Sequence, residues 1–283
     1  KAEQLLYHML ALARDGDRDA LPDSFSFNCV ISGFTRSRMR DAGLRAESLL
    51  DRFLEFSEEF PSVKPDTRSF THIVAHYARQ EKMLDAPYRA EYALNRLLSL
   101  FQSGHDYLAP NVFAFTTVMD AYALHKHKDA GEKAEQLVRT MRKLKRQYNL
   151  DELEINTGVM NNVLNAWSCS GHENAGYRAD AILDDMETRA DLEGETDVLP
   201  NARTYSLLMT IWSKMKVGHK AERALEILNR MNERKEQGKL NFPANDLSHS
   251  IIMNACAHTK ADAETEERVF QIAVKMMTEL LRG

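Results

Sequence analysis

Three cysteines in 283 residues is too few and too odd a number for a disulfide framework. Cys29, Cys169 and Cys256 form no CxxC pair and fall in apolar helical segments, so they read as reduced, buried thiols of an intracellular protein. Proline and glycine are also scarce, at seven and twelve. No stretch is rich enough in either to act as a flexible linker, and the short segments between periodic runs read as turns. No apolar run reaches the 18 or more residues of a membrane span, which excludes a helical membrane anchor in these residues. Positive charge is not in excess: 37 Lys and Arg face 42 Asp and Glu, for a net charge of -5. A global basic field is therefore excluded, and any nucleic-acid surface has to be a local stripe. Catalytic signatures are missing as well. There is no glycine-rich phosphate loop, no nucleophile with a recognisable base, and no HxE with CxxC. His125, His127 and the scattered His8, His72, His105, His172 and His219 join no Cys, Asp or Glu at a ligand spacing, so neither an enzyme nor a metal or cofactor protein is expected.

What the chain has is repetition. Segments beginning at Phe27, Phe70, Phe115, Met160, Tyr205 and His249 read FNCVISGF, FTHIVAHY, FTTVMDAY, MNNVLNAW, YSLLMTIW and HSIIMNAC, about 44 residues apart. Apolar side chains recur in them at i, i+3, i+4 and i+7, as in Phe27, Val30, Ile31 and Phe34, which is one buried helical face. A second series, KAEQLLYHM, RAESLLDRF, RAEYALNRL, KAEQLVRTM, RADAILDDM and KAERALEIL, begins at Lys1, Arg45, Arg89, Lys133, Arg178 and Lys220. On this alignment the fifth unit alone has a shortened gap between its two helices. Small residues Gly33, Ala121, Ala166 and Ala255 mark where a neighbouring helix is expected to come close, while His76 and Ile211 break that rule. Stop signals precede the first helices: Pro22-Asp23, Pro65-Asp66, Pro110-Asn111, Pro200-Asn201 and Pro243-Ala244-Asn245, with Ile155-Asn156 lacking the proline. Alternating helices at this period predict an all-α, right-handed superhelical solenoid of stacked antiparallel helix pairs. The expected boundaries are the end of a repeat at 1–23, repeats at 24–66, 67–111, 112–156, 157–201 and 202–245, and a divergent last repeat at 246–283.

Four columns of this repeat carry chemistry. The residue after the lead position is Asn28, Thr71, Thr116, Asn161, Ser206 and Ser250, always an amide or hydroxyl able to read a base edge or to bond its own backbone. Five residues earlier stand Asp23, Asp66, Asn111, Asn156, Asn201 and Asn245, which suit both helix capping and the groove. Three residues before the first column, Phe25, Arg68, Phe113 and Arg203 offer surfaces that stack on a base, as does Leu247 more weakly; Gly158 offers none. Eight residues after it, Arg36, Arg79 and Lys214 are cations placed to meet phosphates, whereas Leu124, Cys169 and His258 are not firmly basic.

The segments PDSFSFNCVISGF, KPDTRSFTHIVAHYAR and LPNARTYSLLMTIWSK resemble pentatricopeptide repeats, and the resemblance covers essentially the whole chain. The family's units run about 35 residues, and these are longer. The resemblance implies sequence-specific binding of single-stranded RNA in a mitochondrion or chloroplast, one base per repeat, in RNA processing, stabilisation or translation. It further implies that Asn28 with Asp66 favours uracil, Thr71 with Asn111 and Thr116 with Asn156 adenine, Asn161 with Asn201 a pyrimidine with cytosine first, and Ser206 with Asn245 adenine: 5′-UAAYA-3′. Ser250 has its closing partner outside these residues, and so has any targeting segment. Other RNA-processing or ribosomal proteins are the implied partners. The alternative reading is a tetratricopeptide-like scaffold whose groove holds a protein partner in an organellar complex.

Overall fold

The computed structural model describes residues 1–240, 246–259 and 263–282. Among the described residues there are α-helices and three short 3-10 turns but no strand. First helices are α2 (Ser24–Arg36), α4 (Thr67–Ala78), α6 (Val112–Leu124), α8 (Thr157–Ser170), α10 (Ala202–Lys214) and α12 (Asp246–Ala257). Between them run the second helices α1 (Ala2–Arg14), α3 (Ala42–Glu59), α5 (Ala86–Gln102), α7 (Ala130–Tyr148), α9 (Ala175–Leu192), α11 (Lys220–Glu236) and α13 (Ala263–Arg282). Contacts gather the chain into two compact units, Lys1–Ala121 with Tyr148–Leu153, and Tyr122–Gln147 with Glu154–Gly283.

Within each unit the same packing recurs. A first helix lies against its own second helix (α2 on α3, α4 on α5, α8 on α9, α10 on α11), against the next first helix (α2 on α4, α8 on α10, α10 on α12), and against the preceding second helix (α3 on α4, α9 on α10, α11 on α12). The expected apolar stripes are the buried faces: Phe27, Val30, Ile31 and Phe34 in α2, Phe70, Ile73, Val74 and Tyr77 in α4, Tyr205, Leu208, Met209 and Trp212 in α10. Phe27 stacks on Phe53 of α3 at 3.9 Å between ring centroids. Each such side chain removed from water contributes roughly 1.5–3 kcal/mol, which outweighs the weak intrinsic stability of single helices of this length.

The second helices depart from the sequence reading. They open three residues before the basic residue of their motif, at Ala42, Ala86, Ala130 and Ala175, and α11 opens at Lys220 itself. Lys220 is buried where its counterparts are alanines, and that burial pushes its ammonium pKa below the usual lysine value. The true counterpart of Arg178 is therefore Arg223, in RALEILNRM, and the fifth unit has the same helix spacing as its neighbours. A chance KAE triplet one turn too early produced the apparent shortening.

In α3, α7 and α9 the glycine after the opening alanine explains how neighbouring repeats within a unit approach one another. A Cβ on Gly131 would stand 2.1 Å from the Trp167 ring, one on Gly176 would stand 2.9 Å from Trp212, and one on Gly43 would stand 2.7 Å from the Tyr77 hydroxyl. The aromatic at the end of α4, α8 and α10 thus lies directly on the glycine of the preceding second helix. A charged clamp closes over it. Trp167 donates Nε1–H to Glu135 at 3.0 Å while Arg178 pairs with the same carboxylate, and Trp212 donates to Asp180 at 2.9 Å while Arg223 pairs with Asp180. Two expectations fail here. Gly33 is exposed with open space above it, so no helix approaches there, and Cys29 is exposed because it lies two residues past the buried Phe27, on the other side of α2. Cys256 is buried as expected and Cys169 is intermediate.

Candidate nucleic-acid interface

Each first helix begins with the same local chemistry. Buried Pro22, Pro65, Pro110 and Pro200 stop the preceding segment, and the residue that follows enters the helix in extended geometry, at φ -91° for Asp23, -116° for Asp66 and -118° for Asn201. Its side-chain oxygen then accepts the backbone N–H three residues on: Ser26 to Asp23 at 2.8 Å, Ser69 to Asp66 at 3.1 Å, Ala114 to Asn111 at 3.0 Å, Val159 to Asn156 at 3.2 Å and Thr204 to Asn201 at 3.1 Å. The column predicted to face a groove is thus a column of helix caps. Asn245 and Pro243 lie outside the described residues.

Capping and recognition are compatible, because one oxygen suffices for the cap. A backbone N–H only donates, so a capping Asn must turn its oxygen inward and leave its amide N–H groups outward. A capping Asp leaves its second carboxylate oxygen, an acceptor. Donor and acceptor closures therefore differ in what they offer a ligand. The Asp23 carboxyl is held below its usual pKa by the hydroxyl and backbone hydrogen bonds of Ser26.

Two of the coupled pairs touch. Asn28 Nδ2 donates to Asp66 Oδ1 at 3.0 Å, and Asn161 Nδ2 donates to Asn201 Oδ1 at 3.3 Å. Each links the first-column residue of one first helix to the cap of the next. Where the first column holds threonine, the hydroxyl turns to its own helix: Thr71 donates to the Arg68 carbonyl at 3.2 Å and Thr116 to that of Val112 at 3.1 Å. Thr71 and Asn161 are buried, Asn28, Thr116 and Ser206 are half-buried, and Ser250 is exposed. Of the caps, Asp66, Asn111 and Asn156 are half-buried and Asn201 is exposed.

The stacking column is open to solvent. Phe25 is 73% and Phe113 55% exposed, Leu247 is 55% exposed, and Arg68 and Arg203 are exposed too. Large apolar side chains left in water at the same helical position in the first, third and sixth repeats do nothing for the core. The cations divide differently. Arg36 is exposed at the end of α2; Arg79 closes α4 by donating Nε–H to the Ala75 carbonyl at 2.8 Å. Lys214 reaches back to α8, where its ammonium donates to the Ser168 carbonyl at 3.1 Å and hydroxyl at 3.0 Å, so it is engaged within the fold. His72 lies among Arg36, Asp66, Arg68 and Arg79; burial first, then Arg36, push its imidazole below the usual histidine pKa, Asp66 opposes them, and Arg68 and Arg79 add lesser pushes.

One contributing position escapes the column search. Buried Ser69 and Thr204, third in α4 and α10, donate their hydroxyls to Asn28 Oδ1 at 2.7 Å and Asn161 Oδ1 at 2.8 Å. The column they belong to reads Ser26, Ser69, Ala114, Val159, Thr204 and Ser248, which is not uniform. Its signal is a pairing across repeats: a hydroxyl follows Asn28 and Asn161, an alkyl group follows Thr71 and Thr116, and Ser206 is followed by Ser248.

No protein-family model matches the chain, and no curated protein matches it either.

Proposed function

We propose that the chain binds single-stranded RNA one base per repeat along its first helices, within a solenoid of the pentatricopeptide type, and serves RNA processing, stabilisation or translation in a mitochondrion or plastid. The observation that carries this reading is the bond between each described Asn of the first column and the cap of the next first helix, beside an exposed stacking residue. Three positions per unit then meet one base: a flat side chain against its face, a first-column group and a cap against its edge.

Hydrogen-bond polarity sets the base. Asp66, capping through one oxygen, offers the other to a donor such as uracil N3–H, while Asn28 has a second N–H for a uracil carbonyl. Asn111, Asn156 and Asn201 offer N–H groups, which suit the acceptors adenine N1 and cytosine N3. The longer Asn at the first column leaves room for a pyrimidine, and the shorter Thr for a purine. This reading matches the first four letters of the UAAYA that the family resemblance implies; the fifth rests on Asn245, outside the described residues. Fluorescence anisotropy with UAACA RNA, a scrambled RNA and the matching DNA tests it: selective RNA binding that is lost on Thr71→Ala with Thr116→Ala is expected, and absence of RNA binding at low salt refutes it.

The scaffold reading has one observation of its own. In the second unit, an opening of about 240 Å³ between α7 and α9 has a floor of Val138, Met160, Val163 and Ile182 and a rim in which Arg139 and Arg178 pair with Glu135 and Arg142 with Asp185. Lys143 and Arg146 extend the basic rim along α7. An acidic peptide with an aliphatic anchor fits that chemistry, and it is the partner to try if RNA does not bind.

A further inference from the structure

The geometry points to the third residue of each first helix as a further determinant of base choice: a hydroxyl there fixes the orientation of the Asn in the preceding repeat and so admits Asn, rather than Thr, as the edge-reading group. This rests on the RNA reading above and deepens it.

An Asn carboxamide has two N–H donors and two acceptor lone pairs. In the first unit Asn28 spends one donor on Asp66 Oδ1 at 3.0 Å and one lone pair on the Ser69 hydroxyl at 2.7 Å. In the second, Asn161 spends one donor on Asn201 Oδ1 at 3.3 Å and one lone pair on the Thr204 hydroxyl at 2.8 Å. One N–H and one lone pair remain for a base in both. The hydroxyl itself is held, since it also accepts the backbone N–H of the cap, from Asp66 at 3.2 Å and from Asn201 at 3.1 Å. Ser69 and Thr204 are both 0% exposed, so the hydroxyl proton has no water to turn to, and the amide oxygen is its nearer acceptor, at 2.7 and 2.8 Å against 3.2 Å to the side-chain oxygen of the cap in both. Closed rings of cap, hydroxyl and amide thus recur with the same polarity in the two units, with Asp as the cap in one and Asn in the other.

The repeats without such a hydroxyl show the converse. Ala114 and Val159 stand in its place after Thr71 and Thr116, whose hydroxyls bond their own helix. An Asn in place of Thr71, with Ala114 in the hydroxyl's position, would be held through one contact only and would swing about its terminal torsion, mixing donor and acceptor at the base edge.

The test uses the whole chain and RNAs that differ only at the base opposite Asn28 and Asp66. Wild type is expected to prefer uracil there. Ser69→Ala is expected to lower that preference about fivefold, with preference at the next base unchanged, and Ser69→Thr to restore it. A purely structural role would weaken all RNAs alike and leave the preference intact. Thr204→Ala and Thr204→Ser repeat the comparison at the base opposite Asn161, so that an unfolded Ser69→Ala still leaves a result. Unchanged base preference in the folded alanine variant overturns the inference alone. A wild-type chain that binds no RNA overturns the reading beneath it.

Discussion

At the scale of single residues, one atom decides what a repeat offers. Asp66 and Asn201 cap their helices with the same geometry, yet the group left outward is an acceptor in one and a donor in the other. Asp66→Asn should therefore keep the cap, leave the melting temperature within a few degrees, and shift the preferred base at the first position from uracil towards cytosine, read by anisotropy with the two RNAs. His72 supplies a pH dependence at the same place. Its pKa is lowered by burial and by Arg36, Arg68 and Arg79, so it is neutral at pH 7 and gains a proton only below the usual histidine range. A phosphate nearby would raise that pKa, and by linkage RNA binding should tighten as pH falls from 7 to about 5. The His72→Phe variant should flatten the profile; an unchanged slope would remove His72 from the interface.

Among the elements, a contact between neighbouring repeats is a glycine under an aromatic ring. Gly131→Ala forces a methyl into Trp167, and Gly176→Ala does the same to Trp212 with more room, 2.9 Å against 2.1 Å. Both should destabilise by about 1–3 kcal/mol, Gly131→Ala more than Gly176→Ala, as read from urea midpoints. Ion pairs between neighbouring second helices add a pH term. Asp191 is held well below the usual carboxylate range by hydrogen bonds from Arg234 and Lys239. A carboxyl whose folded pKa is depressed stabilises above its unfolded value and loses that contribution as pH falls through about 4 and lower. Asp191→Asn should thus lower stability at pH 7 more than at pH 3. The glycines and these arginine pairs were hard to see in the sequence because they act across units. Helical pairing was legible, since a 3.6-residue stripe such as Tyr205, Leu208, Met209 and Trp212 needs only local spacing. The α11 opening was not, because Lys220-Ala221-Glu222 imitates the motif one turn early, and burial alone distinguishes Lys220 from Arg223. The caps were legible from proline and Asp or Asn, whereas the Ser69 and Thr204 hydroxyls were hidden in a column that varies with its neighbour.

For the whole molecule the controlling quantity is charge. With 42 acidic against 37 basic residues, RNA approaches a chain of net charge -5, and attraction has to come from a few placed cations. Each phosphate neutralised on a single strand contributes about -0.7 to the slope of log affinity against log salt. Arg36 is exposed and Arg79 spends only its Nε–H on Ala75, so both have N–H groups left for phosphates, while Lys214 is bound to Ser168. Substituting Arg36 and Arg79 together by Gln should flatten the salt slope by roughly 1.4, with base preference retained, because phosphate contacts position and do not select. Lys214→Gln should leave the slope as it is and show its effect in the melting temperature instead. If Lys214→Gln flattened the slope as much as either arginine, its ammonium would have to leave Ser168 when RNA binds, and the phosphate path would have to be redrawn to run past the end of α10.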